Sequence, residues 1–125
     1  MIYTTYFAKL KTLPKDVIPI AICGKVPSWY EGLSYRAVAP KYEFFTEWKR
    51  SGDNEYYIKC FNEQVLSVLN PTKVVYDLYY LAGKPPCSCD IALVCYEKST
   101  DFCHRHLVSA WLRAYGYACE EFINS

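Results

Sequence analysis

A thiol, an imidazole and a guanidinium stand side by side at Cys103-His104-Arg105, with Cys95, Tyr96 and Glu97 shortly before them. A thiol beside an imidazole is the pairing that makes a cysteine nucleophile: the imidazole takes the proton and the thiolate attacks. A guanidinium in the same place can hold a carboxylate or phosphate through two parallel hydrogen bonds. The residues that could make bonds and move protons are therefore Cys103, His104 and Glu97. Arg105 would hold an anionic group, and Cys95 and Tyr96 would line the same site. Each has a plainer role open to it. Cys103 could be an inert thiol packed on a neighbouring helix, and His104 a core histidine bonded to a carbonyl.

Local sequence says how these residues are positioned. Ile91-Ala92-Leu93-Val94-Cys95-Tyr96 is an apolar, partly β-branched run of the length of a buried strand. Glu97-Lys98-Ser99-Thr100 reads as a loop, and an amphipathic helix is expected from Asp101, with Thr100 or Asp101 as its cap. On that helix His104, Val108, Trp111, Leu112 and Tyr115 fall within a stripe about 100° wide, so His104 heads the buried face and His106 points to solvent. A strand, a short loop and a helix N-terminus form a natural seat for an anion or substrate.

The rest of the chain reads as scaffold. Strands are expected over 2–7, 17–22 and 118–123, the second with Pro19 at an edge or a break. Residues 25–40 show no periodicity but carry Trp29, Tyr30, Tyr35 and Arg36, which makes them either a functional lid or a loop pinned by aromatic packing. Trp29 and Tyr30 are accordingly candidate binding residues, folded over the Cys-His-Arg turn in a lid or facing outward in a docking patch. Three helices follow. The first, about 41–51, has Phe44, Phe45 and Trp48 on its apolar face and Gly52 beyond its end. The second, about 54–69, is capped by Asp53 and turns Ile58, Phe61, Val65 and Val68 or Leu69 inward. The third starts at Asn70-Pro71 and stops at Gly83. Helical crossovers between strands imply an α/β fold in one domain over residues 1–125, with a mainly parallel sheet of about four strands flanked by helices.

Composition bounds the function. Hydrophobic residues at 52% and aromatics at 18% argue for a packed core, and a net charge of +1 without a basic stripe makes nucleic acid an unexpected partner. No apolar run approaches the ~20 residues that span a bilayer, so no membrane association is expected. Seven scattered cysteines and the absence of a signal-peptide pattern place the chain in the cytoplasm with reduced thiols. Cys87, Cys89, Cys95, Cys103 and His104 offer soft metal ligands, but their spacing matches no structural zinc pattern and no metal or cofactor is expected. No P-loop, dinucleotide fingerprint, nucleophile-elbow serine or zincin helix is present.

The strand ending in Cys95, the Glu97 that follows, and Cys103-His104-Arg105 opening a helix resemble the signature of the domain of unknown function 488 family. The resemblance implies a small α/β domain with a polar pocket at its strand ends, and supplies no reaction. Many members of that family carry Asp-x-Arg at the end of the second strand, where this chain has Ala21-Ile22-Cys23-Gly24; Lys25 or Arg36 is the nearest replacement. The expected function is an enzyme or ligand-binding domain for a small anionic molecule, such as a nucleotide or nucleobase derivative. The rival expectation is a protein-interaction module that uses the Tyr/Trp-rich loop.

Overall fold

The computed structural model of the chain describes residues 1–123. Five strands form one parallel sheet: β1 (Ile2–Tyr6), β2 (Val17–Ala21), β3 (Leu33–Ser34), β4 (Asp90–Cys95) and β5 (Cys119–Glu121), in the order β3-β2-β4-β1-β5. The α-helices are α1 (Tyr42–Ser51), α2 (Asn54–Gln64), α3 (Pro71–Leu81) and α4 (His104–Ala114). The α/β class and the parallel sheet are as expected. The additional strand is β3, two residues inside the aperiodic stretch, too short to carry a pattern of its own.

β4 is unbroken in its apolar character because it is covered everywhere. It pairs with β2 on one side and β1 on the other, and Ile91, Ala92, Leu93 and Val94 are all buried. Pro19 fits inside the sheet because of its register. The amide of Ile22 is spent on Val94, so on β2 the even-numbered residues face β4 and Pro19 faces β3. There β3 reaches only Ile20 and Ala21, and the Tyr30 hydroxyl meets the free Pro19 carbonyl at 3.5 Å.

The connection from β1 to β2 crosses the sheet in one direction, and those from β3 to β4 and from β4 to β5 cross in the other. Right-handed crossovers then place them on opposite faces. Packing agrees. Buried residues of all four helices share a cluster with Ile20, Ile22, Ile91 and Leu93, whereas Ala21 and Val94 pack on Phe7, Leu10, Val26 and Tyr30. The chain thus leaves the carboxyl ends of β2 and β4 toward opposite faces and opens a crevice between them, the usual ligand seat of such sheets.

Helix ends follow their local chemistry. Asp53 and Asn70 accept hydrogen bonds from the amides of Tyr56 and Lys73, at 3.1 and 3.2 Å, and Gly52 ends α1 at a φ of 71°. The second helix is shorter than its apolar pattern suggested. It stops at Gln64 and tightens into a 3-10 turn over Leu66–Val68, which buries Val65 and Leu66 and leaves Val68 exposed. The fourth helix begins three residues later than expected. Residues 98–101 form a separate turn closed by the Asp101 amide on the Lys98 carbonyl, and Cys103 itself is the N-cap in extended conformation. Later along α4, Trp111 is half-buried and Tyr115 exposed, so the inward stripe is narrower than the spacing implied.

Candidate active site

The crevice is a cavity of about 550 Å³. Its floor is made by the ends of β2 and β4 and the start of α4: Cys23, Cys95, Cys103 and His104. Glu97, Tyr96 and Lys25 stand at its side. Its wall is aromatic and comes from α1, α2 and the turn before α4, through Tyr42, Phe45, Trp48, Tyr57 and Phe102. Trp48 lies 5.5 Å from Phe102 and 5.3 Å from Tyr57, ring centre to ring centre, so the wall is one packed aromatic array.

His104 organises the floor. Its Nε2 lies 2.8 Å from the carbonyl oxygen of Ile22, an atom that can only accept, so Nε2 carries the proton. In the neutral ring Nδ1 is then an acceptor, and it faces the Cys95 sulfur at 3.6 Å. The donor atoms of Cys95, Cys103 and His104 all lie within 4.8 Å of one another, and all three residues are buried. This trio is the group among the described residues that could hold a metal ion.

Contact with the Cys95 thiol, and then with the His104 imidazole, holds the Cys103 thiol well below its usual range against the opposing effect of burial. The same contact, with burial, pushes Cys95 up. Burial, and then the charge on Cys103, pushes the Glu97 carboxyl up; its Oε2 is 3.9 Å from the Cys95 sulfur.

Arg105 is brought next to the trio in the chain but turned away from the cavity. It is fully buried, and its Nε and Nη2 donate to the two carboxylate oxygens of Glu121 at 3.2 and 2.9 Å. Nη1 donates to the Glu97 carbonyl at 2.6 Å, and the guanidinium lies over the Tyr6 ring at 5.6 Å. Lys25 is the cation that lines the cavity, and Arg36 is exposed elsewhere.

Trp29 and Tyr30 do not line the cavity. Trp29 is 61% exposed and meets Phe7 edge-on at 5.9 Å; Tyr30 packs on Phe7 and donates to the Leu33 carbonyl at 2.6 Å. Tyr35 bonds Asp77 at 2.9 Å, and Val38 is buried. The stretch 25–40 is therefore pinned by its aromatics: its ends, Lys25 and Pro40, line the cavity, but Trp29, Tyr30 and Tyr35 do not fold over the Cys-His-Arg turn. His106 also differs from expectation: it is half-buried, and its Nε2 is shielded from solvent without a hydrogen-bond partner.

The residues that sequence reasoning missed are the aromatic wall and two partners, Ile22 and Glu121. The adjacent Phe44-Phe45 and the following Trp48 were a signal. Phe44 is buried in the core, whereas Phe45 and Trp48 are only partly buried against it and also line the cavity.

No curated protein matches the chain, and no solved structure does. The model of the family described as "Active DUF488-N3 subclade" matches residues 5–116, a span that holds the trio, Glu97 and Arg105. With most of its length matched and its site inside the match, the chain belongs to the DUF488 family.

Proposed function

We propose that the cavity is the active site of a small cytoplasmic enzyme that uses Cys103 as a thiolate nucleophile on a flat, anionic molecule such as a nucleobase or nucleotide derivative. The observation that carries this reading is the clamp of His104 on the Ile22 carbonyl, which aims an unprotonated ring nitrogen at the paired sulfurs beneath an aromatic-walled cavity. Tyr42, Trp48 and Phe102 suit a planar ring, and Lys25 suits a carboxylate or phosphate beside it. Arg105, tied to Glu121, acts as a positioning residue that fixes the loop carrying Glu97. The seven unpaired cysteines support a reducing compartment.

In the step proposed, the Cys103 sulfur forms a bond to an electrophilic carbon of the ligand. The displaced group leaves with the electron pair of its bond and takes a proton from the Glu97 carboxyl. Water then adds to the same carbon, returns a proton to Glu97, and releases the sulfur as thiolate. The test is a thermal-shift and intact-mass screen of wild type against nucleotides, nucleobases, sugar phosphates and small carboxylates. The expected result is a ligand that raises the melting temperature and either turns over or leaves an adduct on Cys103, with adduct and turnover lost in Cys103→Ser but binding kept. Turnover undiminished in Cys103→Ser would sink the nucleophile.

The exposed Trp29 favours a second reading, in which a protein partner docks on it. That reading expects Trp29→Ala to abolish capture of a partner while Cys103→Ser leaves it intact.

A further inference from the structure

We infer that Cys95, Cys103 and His104 form a binding site for a soft divalent cation, with Zn²⁺ as the ion that fits. The donor geometry comes first. Zinc held tetrahedrally, with bonds of about 2.3 Å to sulfur and about 2.0 Å to nitrogen, sets a sulfur and a nitrogen about 3.5 Å apart. Cys95 Sγ and His104 Nδ1 stand 3.6 Å apart, and the Cys103 sulfur completes a set within 4.8 Å. Two thiolates and an imidazole exclude calcium and magnesium, which take oxygen ligands.

The surroundings are those of a metal-binding histidine. Such a ring donates its other N–H to a carbonyl or carboxylate, which fixes the tautomer and turns the free nitrogen toward the ion. The Ile22 carbonyl does this for His104 at 2.8 Å. Charge also balances: a divalent cation binds the two sulfurs as thiolates, neutralises both in the buried site and sends their protons to solvent. Three protein donors leave a fourth position for water or a ligand, and all three residues line the cavity together with Glu97.

This site rests on donor geometry and stands whether or not Cys103 is a nucleophile. If Cys103 is one, bound zinc lowers its nucleophilicity, because the bond to the cation withdraws electron density from the sulfur. Zinc then acts as a reversible cap on the reactive thiol.

The test is anaerobic titration of the reduced wild-type protein with Co²⁺, followed by displacement with Zn²⁺. The expected result is one equivalent bound, with a sulfur-to-cobalt charge-transfer band and the strong visible absorption of a tetrahedral ion, bleached by Zn²⁺. Cys95→Ser, Cys103→Ser and His104→Gln should each weaken binding by more than the ~10-fold that loss of an outer partner costs. The double variant Cys87→Ser/Cys89→Ser should bind as wild type. X-ray absorption of the zinc-loaded wild type makes the result independent of how any variant folds: two sulfurs with nitrogen or oxygen completing the shell are expected. Absence of saturable binding, an octahedral cobalt spectrum, or a shell without sulfur would each overturn the site.

Discussion

His104 joins two demands in one ring, and substitutions can separate them. Nε2 satisfies a buried backbone carbonyl, and Nδ1 serves the sulfurs. With His104 buried and bonded to Ile22, His104→Ala should cost about 1–3 kcal/mol of stability as well as function, because a buried acceptor loses its donor. Glutamine places its amide near the old Nε2 and keeps that bond, but offers no group at Nδ1. His104→Gln should therefore unfold in urea within about 1 kcal/mol of wild type. Its Cys103 should lose reactivity toward iodoacetamide; a variant as reactive as wild type would remove His104 from the site. Adjacency made the cluster legible: Cys103, His104 and Glu97 are close in sequence and stayed close in space. The Ile22 carbonyl was not legible, since a backbone atom has no signature, and only the fold brings it to a ring 82 residues away.

At the scale of elements, the tie between α4 and β5 is the clearest case of a residue whose neighbour decides its role. Arg105 reads as an anion holder from its position beside a cysteine and a histidine. Its actual anion is Glu121, within the chain. Breaking a buried pair from one side leaves an uncompensated charge, so Glu121→Gln should cost about 3–5 kcal/mol, read from the shift in urea midpoint. Burial alone would push the Glu121 carboxyl up, but hydrogen bonds from Arg105, Thr4 and Ser99 outweigh it and hold the group below its usual range. A carboxylate depressed on folding stabilises the fold above its unfolded pKa of about 4.3, and loses that contribution as pH falls through the lower folded value. Wild type should therefore lose stability on going from neutral pH to below about 4 more steeply than Glu121→Gln does. Parallel slopes would show that the pair contributes nothing. The α/β class, the helix caps at Asp53 and Asn70, and the glycine stops were all legible, because each is set by a few adjacent residues. The start of α4 was not, because Asp101 can cap a helix equally well on paper, and tertiary packing of Phe102 on Trp48 and Tyr57 holds the chain extended through Cys103 instead.

For the molecule as a whole, the cavity is a seam between layers: the sheet and α4 supply its thiol-lined floor, and α1 with α2 supplies its wall. In the function proposed above, chemistry and shape selection belong to separate parts and should mutate separately. Tyr42 is 78% exposed yet lines the cavity. Tyr42→Ala should leave stability within about 0.5 kcal/mol of wild type, as surface changes usually do. A planar ligand found in the screen should bind up to ~10-fold more weakly, the worth of one aromatic contact. Unchanged affinity would place the ligand elsewhere.

The order of the strands has a consequence for biosynthesis. β1 is synthesised first, yet it lies inside the sheet, with Ile2 opposite Ile91 on one side and Cys119 on the other. Its partners emerge only after about 90 further residues, at ordinary translation speeds several seconds later. Throughout that interval the β-prone segment Ile2–Tyr6 waits without a partner on either edge. Pairings this distant in sequence also make the final zipping slow. The period of greatest exposure to aggregation and to chaperones therefore falls before β4 emerges, and the thiol-lined floor, built on the end of β4, can form only after it.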